Sequence, residues 1–217
     1  MNLSYFLAWS AARLLCDTYF QRRICNPERV PKDGAVILAA NHASYMDPPL
    51  IGSSLPRDIH YLARESLFKY PGICQWLHSL NAVPVDRDGG GARGLKAILD
   101  RLLGGAGIIL FPEGTRTHDG QLQAGRSGIG LAVIKSSAPV IPVRVFGTYE
   151  AWGRHRGGPR PHPVVVKFGH AIDFQELREE ARRCSKARLK QIYQEVTDRI
   201  MKEISRLEPY ADKATFP

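Results

Sequence analysis

The chain has 217 residues, 44% of them hydrophobic and 24% charged. That hydrophobic share is enough for a sizeable core and excludes a disordered chain, and the length suits one α/β domain. Thirty Lys and Arg against 21 Asp and Glu leave a net charge of +9, which attracts anionic partners such as nucleic acid, acidic phospholipid or a polyanionic donor.

In chain order, residues 3–20 come first, rich in Leu, Phe, Tyr, Trp and Ala but interrupted by Arg13 and Asp17 and closed by Arg22-Arg23. A bilayer span needs about 20 mainly apolar residues, and a signal peptide needs a basic start and a small-residue cleavage site; this segment has neither. Residues 1–25 are read as an interfacial helix, with Tyr5, Phe6 and Trp9 at headgroup level. The alternative is an ordinary helix packed on the domain. Residues 34–40, Gly-Ala-Val-Ile-Leu-Ala-Ala, are apolar and β-branched in the middle, as in a strand covered on both faces. Asn41 ends that run, and His42 sits where the chain leaves the sheet. Asp47 stands before Pro48, the pattern of a helix N-cap followed by the first helical position.

Residues 59–63 and 81–85 are further strands, the second at an edge or irregular because of Pro84. Gly89-Gly90-Gly91 is a turn without a Walker-type lysine. Residues 92–103 carry Leu95, Ile98, Leu99 and Leu102 at the spacing of an amphipathic helix. Residues 107–111 form another buried strand, ended by Pro112. Residues 128–135 read as a short buried helix, and 140–146 and 164–168 as strands. Residues 152–163 form a loop of Gly, Arg, His and Pro that either steers an anion or is simply a solvated basic loop. Residues 186–207 form a helix with Leu189, Ile192, Tyr193, Val196, Ile200 and Leu207 on its core side. The pattern specifies one α/β domain over residues 26–210, a mixed and largely parallel sheet covered on both faces, and a flexible tail at 211–217.

Two segments carry chemistry. In Asn41-His42-Ala43-Ser44-Tyr45-Met46-Asp47 a five-residue separation places His42 and Asp47 on no common helix or strand face. They touch only if the loop turns back. If they do, the carboxylate fixes the imidazole tautomer and supports a general base; if not, Asp47 caps a helix and His42 is a surface residue. In Phe111-Pro112-Glu113-Gly114-Thr115-Arg116 a tight turn holds a carboxylate and a guanidinium, whose rigid fork matches phosphate oxygens. Seen alone, that turn is also consistent with an exposed ion pair of little consequence.

Together the two segments resemble the glycerolipid acyltransferases, in particular bacterial 1-acyl-sn-glycerol-3-phosphate acyltransferases, over residues 41–145. Val83-Pro84-Val85-Asp86-Arg87 resembles the family's second block, which implies that Arg87 contacts substrate phosphate. Residues 138–143 resemble its fourth block, an apolar strand near the acyl-binding region. Gly125-Arg126-Ser127-Gly128 stands where many members carry Phe-Lys-Lys-Gly, so Arg126 is a weaker phosphate candidate than Arg87 or Arg116. The resemblance implies His42 as base, Asp47 as its orienting partner, Glu113 as a glycerol-hydroxyl contact, and Gly114, Thr115 and Arg116 as the substrate-binding turn. It implies an enzyme that moves an acyl group from acyl-CoA or acyl carrier protein, as co-substrate, to the free hydroxyl of 1-acyl-glycerol 3-phosphate. Such an enzyme would work peripherally at the cytoplasmic membrane face, without a cofactor. Another acceptor, a thioesterase and a non-catalytic lipid binder are the alternatives.

No nucleic-acid module is visible. The four cysteines form no CxxC pair and are read as reduced thiols. No HxxH, HxxxH or HExxH occurs. A metal on His42, Asp47 and Glu113 is conceivable, but the arginine-rich surroundings oppose a cation.

Overall fold

The computed structural model describes residues 1–85, 92–210 and 212. Among these, seven strands form one sheet in the order β1-β7-β6-β2-β5-β3-β4: β1 (Arg23–Cys25), β2 (Val36–Ala40), β3 (Ile59–Arg64), β4 (Ala82–Val85), β5 (Gly107–Leu110), β6 (Val140–Phe146) and β7 (Val165–Phe168). Only β6 and β7 run antiparallel to each other; the other neighbouring pairs are parallel. Pro84, which donates no ladder bond, lies in β4 at the sheet's edge, where such a residue is tolerated.

Strand β2 lies at the centre, flanked by β5 and β6, and all five of its residues are buried. Its alternation divides the core. Val36, Leu38 and Ala40 pack with Leu50, Ile51, Cys16 and Phe20 on one face. Ile37 and Ala39 pack with Ile98, Leu102, Val133, Ile192 and Val196 on the other. Side chains at successive positions point to opposite faces, so a run apolar at every position demands two covering layers.

The first layer contains α1 (Leu3–Thr18) and α2 (Asp47–Gly52); the second contains α4 (Ala92–Leu103), α5 (Gly128–Lys135) and α8 (Lys186–Arg206). Short helices α3 (Ile73–Ser79), α6 (Thr148–Trp152) and α7 (Gln175–Ala181), and the three-residue β1, were not legible as elements. Each is too short to show periodicity. Strand β1 pairs with β7, so the sheet already begins within residues 1–25.

Helix α1 is tied to the domain by its polar atoms. The Tyr5 hydroxyl accepts from the Ile59 N–H at 3.0 Å, and the Trp9 indole donates to the Leu55 carbonyl at 3.0 Å. The expected outward placement of Tyr5 and Trp9 is therefore corrected. Tyr5 is buried and Trp9 half-buried, because each has a polar atom that finds a backbone partner on the inside. Phe6 does face outward, together with Leu3, Leu7, Leu14 and Leu15. Among the described residues no helix is long and apolar enough to cross a membrane. At the other end, Asp212 pairs with the buried Lys167 of β7 at 2.5 Å and with Arg29; the rest of the expected 211–217 tail lies outside the described residues.

Gly130 sets the closest approach of α5 to α8. A Cβ there would stand 1.9 Å from the Tyr193 carbonyl oxygen, a backbone atom that cannot rotate away. Gly130→Ala is expected to separate the two helices and to lower stability by about 1–3 kcal/mol or more, read as a lower midpoint in urea unfolding. An unchanged midpoint would show that the contact yields at no cost.

Candidate active site

Strands β2 and β5 are adjacent and parallel, with Ala39 opposite Leu110. Their carboxyl ends therefore open on the same side, where ligands bind in open α/β sheets. His42 follows β2 by two residues and Glu113 follows β5 by three.

The loop does turn back. His42 Nδ1 and Asp47 Oδ2 lie 2.8 Å apart, and the same oxygen accepts the backbone N–H groups of Ala43 and Ser44, each at 2.7 Å. Asp47 is fully buried. Its other oxygen is also buried and has no hydrogen-bond partner. This corrects the expected capping role. Asp47 is itself the first residue of α2 and makes no side-chain cap bond there. Its carboxylate points back over the preceding turn because Pro48 and Pro49 offer it no N–H, the Leu50 N–H bonds the Met46 carbonyl at 2.9 Å, and three donors converge behind it. With Nδ1 engaged, His42 Nε2 is the free nitrogen; among the described residues it makes no hydrogen bond and is not sealed from the surface. The ring stacks on Phe111, with centroids 3.9 Å apart and planes at 17°.

Glu113 joins the two segments. One carboxylate oxygen accepts the His42 N–H at 2.7 Å, and the other accepts the Gln123 N–H at 3.0 Å. Burial pushes its carboxyl upward, while those two backbone donors pull it down. Glu113 is thus a clamp on the His42 backbone, and any contact with a glycerol hydroxyl would have to use a remaining lone pair. A return bond runs from the Thr117 N–H to the His42 carbonyl at 2.8 Å. Asn41 ends β2 by pairing its side-chain amide with both backbone groups of Val145, at 2.8 and 3.2 Å. A polar residue right after a buried apolar run was the available signal for that role.

Arg116 lies over the Tyr45 ring, 3.4 Å from its centroid, so the guanidinium and the His42 loop share one side of the molecule. Gly114 takes a left-handed φ of +69°, and the Arg126 side chain crosses it closely enough that a Cβ would stand 3.0 Å from Arg126 Cδ. Arg126 is exposed and its N–H donates to the Pro112 carbonyl at 2.8 Å. The Thr115 hydroxyl faces Arg154 at 3.4 Å, and Arg154 also reaches His118 Nε2 at 3.1 Å. The basic loop is thereby attached to the Glu113–Arg116 turn, a contact that composition alone could not reveal. Arg87 and the 89–91 glycine turn lie outside the described residues. Among the described residues no three His, Cys, Asp or Glu side chains gather as metal ligands.

Two apolar cavities lie in this part of the molecule, one against the turn and one under α1. One, of about 270 Å³, is lined by Leu62, Leu95, Ile98, Phe111, Gly114 and Arg126. The other, of about 310 Å³, lies beneath α1 and is lined by Trp9, Pro48, Pro49, Leu62, Trp76 and Leu77. Leu62 forms part of both walls.

The sheet is largely parallel and covered on both faces, with a histidine held by a buried carboxylate at the carboxyl end of its central strand, and the chain belongs to the acyltransferase family, whose model matches residues 21–146. It is 28% identical over 161 residues to the 1-acyl-sn-glycerol-3-phosphate acyltransferase of Bacillus subtilis (strain 168), covering 74% of this chain and 79% of that protein. The enzyme of the same name from Cocos nucifera is 29% identical over 150 residues, which span 66% of this chain but 48% of that protein. The fold matches the crystal structure of the 1-acyl-sn-glycerophosphate (LPA) acyltransferase PlsC from Thermotoga maritima, with a TM-score of 0.68 and 27% identity over 93% of this chain and 81% of that one.

Removing the clamp strands two donors. Glu113→Ala is expected to cost about 1–3 kcal/mol for each buried N–H left without an acceptor and to loosen His42, giving both a lower unfolding midpoint and lower turnover. Turnover equal to the parent's would show that the His42 backbone needs no such anchor.

Proposed function

We propose that this acyltransferase moves a fatty acyl group from a thioester donor, acyl-CoA or acyl carrier protein, to the free hydroxyl of 1-acyl-glycerol 3-phosphate, giving phosphatidic acid. The observation that carries the reading is the 2.8 Å contact between His42 and a buried, triply bonded Asp47 on the same side as Arg116. The names of the relatives support the acceptor.

His42 Nε2 takes the acceptor's hydroxyl proton as its oxygen attacks the thioester carbonyl. The resulting tetrahedral adduct collapses by breaking the carbon–sulfur bond, and the proton passes to the departing thiolate. No protein nucleophile is needed. Asp47 keeps the ring in the Nδ1–H tautomer and stabilises the imidazolium that forms. Arg116 holds the acceptor phosphate, and that remote binding energy positions the hydroxyl. The apolar cavity against the turn, lined by Leu62, Leu95, Ile98 and Phe111, suits an acyl chain.

The substrates are lipids, and the outward face of α1 fits a membrane surface. Leu3, Phe6, Leu7, Leu14 and Leu15 are all exposed and recur at helical spacing on the side opposite the buried Tyr5 and Cys16. Such a stripe lowers its free energy by entering the headgroup boundary, and the net charge of +9 favours anionic lipid.

The test is turnover by purified protein across donors and acceptors, with mass analysis of the lipid product. His42→Ala is expected to lose about 10²–10⁴-fold or more in rate while keeping the parent's circular dichroism. Arg116→Ala is expected mainly to raise the KM for the phosphate-bearing acceptor. Near-normal turnover by His42→Ala, or free fatty acid formed without esterified product, would sink the proposal. For the membrane face, Leu7→Glu with Leu14→Glu is expected to weaken sedimentation with anionic vesicles; unchanged binding would place the contact elsewhere.

A further inference from the structure

Tyr45 lies inside the histidine segment, between His42 and Asp47, yet it joins neither the His42–Asp47 pair nor the Glu113 clamp. It is 53% exposed and fills no part of the core. One neighbour is Arg116, whose guanidinium carbon stands 3.4 Å from the ring centroid. Another is Trp152, at 5.5 Å between centroids. Trp152 is held in turn from the histidine segment, because the Ser44 hydroxyl donates to its carbonyl at 2.7 Å. Arg116 has no carboxylate partner among the described residues, and its Nη1 is buried without an acceptor. Among the described residues, the Tyr45 side chain is the group against which this guanidinium rests.

We infer that Tyr45 is a positioning residue for substrate phosphate: its ring fixes where the Arg116 guanidinium stands, with the guanidinium carbon 3.4 Å from the ring centroid. The inference rests on the proposed role of Arg116 in phosphate binding. A long side chain free to rotate would lose rotamer entropy on gripping an anion, whereas a stacked guanidinium is pre-organised. The positioning is assigned to the π-face, which Tyr45→Phe keeps and Tyr45→Leu removes. Hydrogen bonding and charge from Arg116, with Arg154 adding, also hold the Tyr45 phenol below its ordinary value.

The experiment compares Tyr45→Phe, Tyr45→Leu, Arg116→Ala and the Tyr45→Leu/Arg116→Ala double variant, each checked by circular dichroism. Tyr45→Leu is expected to raise the KM for a short-chain lysophosphatidate about tenfold, with kcat within about twofold. Tyr45→Phe should behave as the parent, and Tyr45→Leu should add nothing once Arg116 is gone. Additive losses in the double variant, or an equal loss in Tyr45→Phe, overturn the inference. If Arg116→Ala leaves the KM unchanged, the phosphate assignment fails instead. The positioning contact is then judged alone, by the phenol titration found as the difference between parent and Tyr45→Phe. That titration should move upward in Arg116→Ala, and a phenol that does not respond to loss of Arg116 refutes the contact.

Discussion

One carboxylate oxygen organises the site. Asp47 Oδ2 receives the His42 ring and the N–H groups of Ala43 and Ser44, which converts a five-residue separation into a closed turn. A fully buried charge is costly unless it is hydrogen-bonded, and here three donors converge on it. The energy that compensates for burying the acid is the same energy that fixes the histidine's tautomer. Folding of the loop and orientation of the His42 ring, the proposed base, are one event.

Glu113 performs a related task at the level of the backbone. It spans from the exit of β5 to the exit of β2 and accepts the His42 N–H, so two segments far apart in sequence form a single cross-braced unit. Tyr45 and Arg116 make a third connection, through a ring face. The site is thus assembled at two strand exits by an acid–ring contact, an acid–backbone contact and a cation–ring contact.

The long elements were legible because their patterns repeat. Helix α4 and β6 match the bounds read from periodicity and apolar runs, and the two faces of β2 follow from its having no polar position. The residue types at the site were legible too, but their directions were not. Asp47 before Pro48 carries a strong capping signature, but Pro49 has no N–H to offer, the Leu50 N–H bonds the Met46 carbonyl, and three donors converge behind the carboxylate. Tyr5 and Trp9 looked like headgroup anchors because both are amphipathic; backbone partners at Ile59 and Leu55 turned them inward. The service of Glu113 to a backbone N–H leaves no mark in composition, since its partner is common to almost every residue.

The spacing of the site from the sheet has a consequence for how this chain can vary. His42 is two positions beyond β2 and Glu113 three beyond β5, and the two strands are locked because alternate residues of β2 feed two separate cores. A one-residue shift would exchange the cores, so it cannot be absorbed by sliding. Inserting or deleting a residue in either exit must therefore break the brace between them. These two short exits behave as rulers, counted in residues from a sheet that will not slip.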